Sequence, residues 1–162
     1  MNGSLWDSPL GSVADEVAGR QPAPAGVAAA AVAATLGVSL LMKTLVISGQ
    51  RPDLLSAARK IAAELRAAAD ADCAAIRTSL RSPEAMQIPL GAARAVIRAL
   101  DLCAEAEPLV SGLLGADLRA GRELLIGAAR AILACAEANL VKQPSPEAAA
   151  EVAALSGRVT RS

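Results

Sequence analysis

From residue 27 to residue 42 the chain carries no charged side chain, and its only polar side chains are Thr35 and Ser39. Pro22-Ala23-Pro24-Ala25-Gly26 leads into this run and Lys43 follows it. Prolines suit the approach to a helix and not its interior, so the spacing predicts one long helix ending near Ile47. Thr35, Ser39 and Lys43 fall at i, i+4 and i+8, a thin polar line on an otherwise apolar cylinder. A helix apolar almost all round is either the buried centre of a bundle or a membrane span. The run is short for a span, is rich in small residues rather than Leu and Ile, and carries Lys43 inside the pattern, which favours the bundle. Asp7, Asp15 and Glu16 precede it and a basic leader segment is missing, which argues against a signal peptide.

What surrounds such a helix follows from the aromatic content. Among 162 residues there is no Phe and no Tyr, and Trp6 is the sole aromatic. A core must then be built from Ala, Leu, Val and Ile, whose small volume lets helix axes come close. The length suits one domain over residues 1–162, with 1–8 and 156–162 as flexible ends. Sixteen basic and sixteen acidic residues are interspersed and cancel. No nucleic-acid footprint is expected from that balance. The absence of histidine removes the commonest general base, the commonest metal ligand and any Ser-His or Cys-His pair. Cys73, Cys103 and Cys135 are far apart and form no CxxC. They read as free buried thiols in a reducing cytoplasm, and no metal is expected.

The rest of the chain reads as helices separated by Pro and Gly. Ser8-Pro9 opens a short one to about Ala18, with Leu10, Val13, Ala14 and Val17 on its apolar face and Trp6 packing the lead-in against the body. After the break at residues 48–52 a long helix runs to about Leu80. Its stripe is Leu54, Ala58, Ile61, Leu65, Ala68, Asp72, Ala75 and Ser79, of coiled-coil type. Asp72 is the one acid on that stripe, and a carboxylate there needs a partner or a purpose. Ser82-Pro83 restarts the chain, and Pro89 opens a helix to about Glu105 with Arg94, Arg98, Asp101 and Glu105 outside. Asp117 starts the next, to about Val141, with Arg119, Glu123, Arg130 and Glu137 as a narrow polar strip. A last amphipathic piece covers residues 147–155. The fold expected is all-α, an up-and-down bundle of five or six helices, soluble, cytoplasmic and dimeric, because two helices leave more apolar surface than one small bundle hides.

The order of these segments resembles the cyclodeaminase/cyclohydrolase family, which includes the C-terminal domain of formiminotransferase-cyclodeaminase and the bacterial methenyltetrahydrofolate cyclohydrolases. The likeness covers roughly residues 5–141. Trp6-Asp7-Ser8-Pro9-Leu10 stands where that family has its Trp-Asp-x-Pro-Leu-like start. Pro22 to Ala28 stands where it has Pro-Ala-Pro-Gly-Gly-Gly-Ser. Asp72-Cys73-Ala74-Ala75-Ile76, Ile88-Pro89-Leu90, Ala116-Asp117 and Asn139-Leu140 follow in the family's order. The resemblance implies a helical homodimer that binds a tetrahydrofolate one-carbon derivative, methenyl or formimino, as substrate and needs no further cofactor. The chain departs from the pattern in three ways. Ala25, Val27 and Ala28 replace two glycines and the serine, the segment between Leu80 and Ile88 is short, and Ile76 replaces a phenylalanine.

Asp72 and Asp117 are the candidate catalytic residues. An acid in an apolar setting has its pKa pushed toward acid/base use; the structural alternatives are a satisfied buried carboxylate and a helix cap. Pro24, Ala25, Gly26, Val27, Lys43 and Asn139 are the candidate substrate contacts. The start of the central helix offers unpaired backbone N–H groups and no Ser, Thr or Asp to cap them. A carboxylate from another helix or an anionic ligand is expected there, in a cleft where residues 22–27 meet Asp72 and Asp117. The alternative to an enzyme is a non-catalytic helical dimer that keeps the fold as a binding or assembly partner.

Overall fold

A computed structural model describes residues 3–78 and 83–161. The expected helix end at Leu80, the stripe position Ser79 and the restart at Ser82 lie outside the described residues. The described chain is helical, with no strand, and comprises α1 (Leu10–Val17), α2 (Gly26–Ser48), α3 (Pro52–Thr78), α4 (Pro83–Ala106), α5 (Gly112–Lys142) and α6 (Pro146–Arg161). Short 3-10 turns at Leu5–Asp7 and Glu107–Leu109 precede α1 and α5. The helices α2 to α5 form a ring in which each packs on its neighbours, and α6 lies against α4 and α5.

The helix α2 is one side of this ring and not an enclosed centre: it packs on α3 and α5, reaches α4 across the ring, and leaves Leu36, Val46 and Ile47 exposed. Its hydroxyl side chains are satisfied within the helix itself. Thr35 Oγ1 donates to the Ala31 carbonyl at 2.9 Å, Ser39 Oγ to Thr35 at 2.8 Å and Thr44 Oγ1 to Leu41 at 2.7 Å, so burying these hydroxyls leaves no orphan donor. Gly49, in the left-handed region at φ 66, ends the helix by returning its N–H to Leu45 O at 3.2 Å. The side chains of Val38, Leu41, Leu45, Leu65, Leu90, Leu125 and Ile132 are fully buried, and Trp6 is only half-buried. The core is thus aliphatic, and it is thinnest where α2 crosses α5. A Cβ on Gly37 would lie 2.8 Å from Gly121 O, and one on Gly121 would lie 2.8 Å from Gly37 O.

On α3 the buried line begins as expected at Leu54, Ala58, Ile61 and Leu65, then moves to Ala69, Asp72 and Cys73. Ala68 and Ala75 are only half-buried. A 3.6-residue helix drifts against a strict heptad, so a long straight stripe wanders off its face. Cross-helix ion pairs hold the outer surface: Arg98 with Glu64, Arg94 with Glu151 at 2.5 Å, and Arg158 with Asp101 at 2.8 Å. These pairs are exposed and contribute at most about 1 kcal/mol each.

Several sequence boundaries move. Pro89 does not open a helix; α4 begins at Pro83 and carries Pro89 inside it, fully buried. Proline has no N–H, so the helix lacks one backbone hydrogen bond there, offset by packing of the pyrrolidine in the core. Asp117 does not start α5, which begins five residues earlier at Gly112 after an extended Ser111. Gly112 and Gly115 read as loop residues, yet Gly115 is buried, with Arg119 Nη1 3.4 Å from where its Cβ would be. Pro9 takes the N-cap position of α1 and Leu10 is its first residue. The last helix is longer than residues 147–155. Ser145 Oγ caps it by accepting from Ala148 N at 3.2 Å, and Val159 extends the buried stripe of Ala148, Val152 and Leu155.

If the glycine crossing sets the core spacing, Gly37→Ala lowers unfolding free energy by about 1–3 kcal/mol in urea titration. Gly91→Ala, where a Cβ meets nothing within 4 Å, is the control and should be neutral or stabilise by up to about 1 kcal/mol. Equal responses at the two positions would contradict the close approach.

Candidate functional site

The chain enters α2 through Ala25, whose backbone is extended at φ −126 and whose side chain cannot cap. The first-turn N–H groups therefore need an acceptor from elsewhere. Asp72, in the last third of α3, provides one. Its Oδ2 accepts from Ala28 N at 3.2 Å, although the two residues are 44 apart in sequence. This is the third-residue bond that a Ser or Asp cap makes locally, made here across the bundle.

Asp72 is 8% exposed. Burial pushes its carboxyl above the ordinary 3.8, and the Ala28 N–H draws it part of the way back. Two thiols share the neighbourhood. Burial raises the Cys135 thiol, and the Asp72 charge raises it further. Cys73, next along α3, is raised by burial, then by Asp72, while Arg77 opposes. Cys135 also closes one side of the helix entry, since a Cβ on Gly26 would stand 2.7 Å from its Sγ. Glycine at position 26 is thus a packing requirement against α5.

Two depressions flank the entry. A cleft of about 630 Å³ is lined by Asp15, Glu16, Gly19, Pro22, Ala23 and Arg77, among others. A smaller apolar groove of about 280 Å³ runs between α1 and α2, lined by Leu10, Val13, Val17, Pro24, Ala28 and Val32, among others. Pro24 and Val27 are buried, Ala25 is half-buried and Gly26 is exposed. Among the described residues no three His, Cys, Asp or Glu side chains converge as a metal ion requires.

The structure therefore brings Pro24, Ala25, Gly26 and Val27 together with Asp72. It does not bring Asp117 to them. Asp117 Oδ2 pairs with Lys43 Nζ at 2.6 Å, both partly exposed. Lys43 lies fifteen residues beyond Ala28 along α2, about 22 Å away. The two residues bind each other at the opposite end of the helix from Asp72, because α5 runs antiparallel to α2. Asn139 is half-buried, one turn past Cys135 on the Asp72 end, and its carbonyl accepts from Gln143 N at 2.9 Å.

The three cysteines are free, as the sequence suggested, with Cys73 and Cys103 buried and Cys135 half-buried; sequence reasoning missed Asp70 and the placing of Cys73 and Cys135 near Asp72. Asp70 Oδ2 accepts from Ser4 Oγ at 2.6 Å and its Oδ1 from Leu5 N at 2.9 Å. Trp6 Nε1 donates to Arg66 O at 3.2 Å, and the Arg66 guanidinium lies 5.2 Å from the Trp6 ring centroid. The lead-in, expected to be loose, is thus a 3-10 turn pinned to α3 beside the site. The sequence signals were Trp6, expected to pack the lead-in against the body, and Ser4, which caps that turn by accepting from Trp6 N at 3.2 Å.

The raised Asp72 carboxyl has a consequence for stability. An acid whose folded pKa exceeds its unfolded one stabilises the fold fully below the ordinary value, 3.8 here, and loses that contribution as pH rises through the folded value. Asp72→Asn removes this dependence while its amide oxygen can still accept from Ala28. Thermal melts from about pH 3 to about pH 8 should therefore show the wild type falling behind the variant as pH rises. A difference that is flat with pH, or of the opposite slope, would contradict the burial argument.

Compared with family models and with curated proteins, the chain matches none.

Proposed function

We propose that the chain is a shortened relative of the cyclodeaminase/cyclohydrolase proteins that acts on a tetrahydrofolate one-carbon derivative or a related cyclic amidine-like molecule. The observation that carries this reading is Asp72, a buried carboxyl with a raised pKa, held at the start of α2 through the Ala28 N–H; the cleft lined by Pro22, Ala23 and Arg77 opens on the loop before that helix and not on Asp72 itself. In this reading ionised Asp72 takes a proton from the nucleophile that attacks the amidine carbon, which is water when a methenyl ring opens and the substrate's own amine when a formimino group closes to a ring. It returns that proton to the nitrogen released when the ring opens or ammonia leaves. Where water attacks, the first N–H groups of α2 steady charge developing on its oxygen. Arg77, at the edge of the cleft, would meet an anionic group of the substrate. Lys43 and Asp117 serve as a structural pair away from the chemistry.

A second reading has its own support. The space that a run of three glycines leaves for a ligand is filled here. Cys135 Sγ abuts Gly26 and Val27 is buried in the core. On this reading the protein is a non-catalytic helical dimer, and Asp72 is only a helix cap supplied by α3.

Thermal-shift measurements with reduced folates separate the two. The enzyme reading expects a methenyl or formimino derivative to raise the melting temperature and to be converted. It also expects Asp72→Asn to keep the fold and lose at least about 100-fold in turnover. No shift with any reduced folate and no conversion by the wild type would overturn it.

A further inference from the structure

The helix α5 carries a pattern that its own chain does not use. Leu113, Ala120, Gly127, Ala134 and Val141 repeat at a strict seven-residue spacing, and all five are exposed. Leu113 is 88% exposed and Val141 84%. The series is nearly palindromic, with a large residue at each end, alanine inside it and glycine at the centre. The ends are fourteen residues from Gly127 on either side, so the seam is about 42 Å long. Gly121 is explained by the crossing with Gly37, but a Cβ on Gly127 would meet nothing within 4 Å. Glycine inside a helix costs stability, and here nothing within the chain requires it. Close approach of a second backbone does.

Beside the seam, on the side away from α2, stand Arg119, Glu123, Arg130 and Glu137. Among the described residues none of the four is in an ion pair. Their signs run plus, minus, plus, minus along the helix. Reversed, the same series runs minus, plus, minus, plus. A second α5 laid antiparallel about Gly127 therefore sets Glu123 against the partner's Arg130, and Arg119 against the partner's Glu137. Each contact occurs twice by symmetry. A parallel arrangement would put the two strips on opposite sides of the interface, each against the partner's other flank and not against its strip. On the other flank Leu124 and Leu36, 40% and 46% exposed, continue the apolar surface onto α2.

The geometry points to a homodimer in which α5 packs antiparallel on the α5 of a second copy, with Gly127 at the two-fold axis. Lipid is the poorer occupant. The helices α2 and α5 are long and apolar enough to cross a membrane, with mean hydropathy 1.9 and 1.7. Insertion would nevertheless leave the four charges of the strip without water or partners. The dimer does not rest on the catalytic reading; either function is compatible with it.

Light scattering and sedimentation of the full chain in detergent-free buffer test this. The wild type is expected to be a dimer at micromolar concentration. Gly127→Arg, at a position with open space around it, should keep its helical circular dichroism and become monomeric, its dissociation constant up by at least about 100-fold. The double variant E123R/E137R should dissociate likewise. The fourfold swap R119E/E123R/R130E/E137R should dimerise with itself but not with the wild type. Under mild oxidation Gly127→Cys should form a covalent dimer that the wild type does not. A monomeric wild type, a dimer indifferent to Gly127→Arg, or partition of the chain into phosphatidylcholine vesicles would each overturn the proposal.

Discussion

Where α2 and α5 cross, neither helix has room for a side chain: a Cβ on Gly37 or on Gly121 would fall 2.8 Å from the other's carbonyl oxygen. That contact sets the register of α5 against α2, and the rest of the bundle inherits it. Running antiparallel from the crossing, α5 delivers Cys135 to Gly26 at one end and Asp117 to Lys43 at the other. A core without Phe or Tyr needs such a contact. Small side chains give little dispersion energy individually, and they stabilise only when backbones come close enough for many contacts at once.

The consequence for the candidate site is a separation of roles along one helix. The start of α2 lacks a local cap, so it draws on Asp72 from α3. A charge there is disfavoured by burial and favoured by the helix N-terminus, and the balance leaves the carboxyl raised. This is the combination an acid/base residue requires. It is also what a cap supplied from a distant part of the chain looks like. The raised carboxyl and the cleft beside the entry favour chemistry; Cys135 against Gly26 and the buried Val27 favour a closed structural joint.

The helical class, the long apolar helix and the link between its uncapped start and Asp72 were legible in the sequence, although that helix is one side of a ring and not the enclosed centre. Each depended on local facts, namely an apolar run without charge, two prolines before it, and one acid on an apolar stripe. Asp117 misled because an acid after glycines resembles a helix start, whereas Gly112 and Gly115 belong to α5 itself. Pro89 misled because proline usually opens helices, and only tertiary burial shows why this one is accepted inside. Asp70 was invisible because its partners, Ser4 and Leu5, lie more than sixty residues away. The polar strip on α5 was legible, but its antiparallel self-complementarity becomes meaningful only once the fold shows which face stays uncovered.

The central claim is that a buried Asp72 carboxyl holds the start of α2 through the Ala28 N–H. Carbon-detected NMR titration of the Asp72 carboxyl, with the Ala28 amide followed in the same samples, tests it most directly. The account predicts a carboxyl midpoint above the ordinary 3.8, with the Ala28 amide shifting at that same midpoint. An ordinary or lowered midpoint, or an Ala28 amide that does not respond, would contradict it.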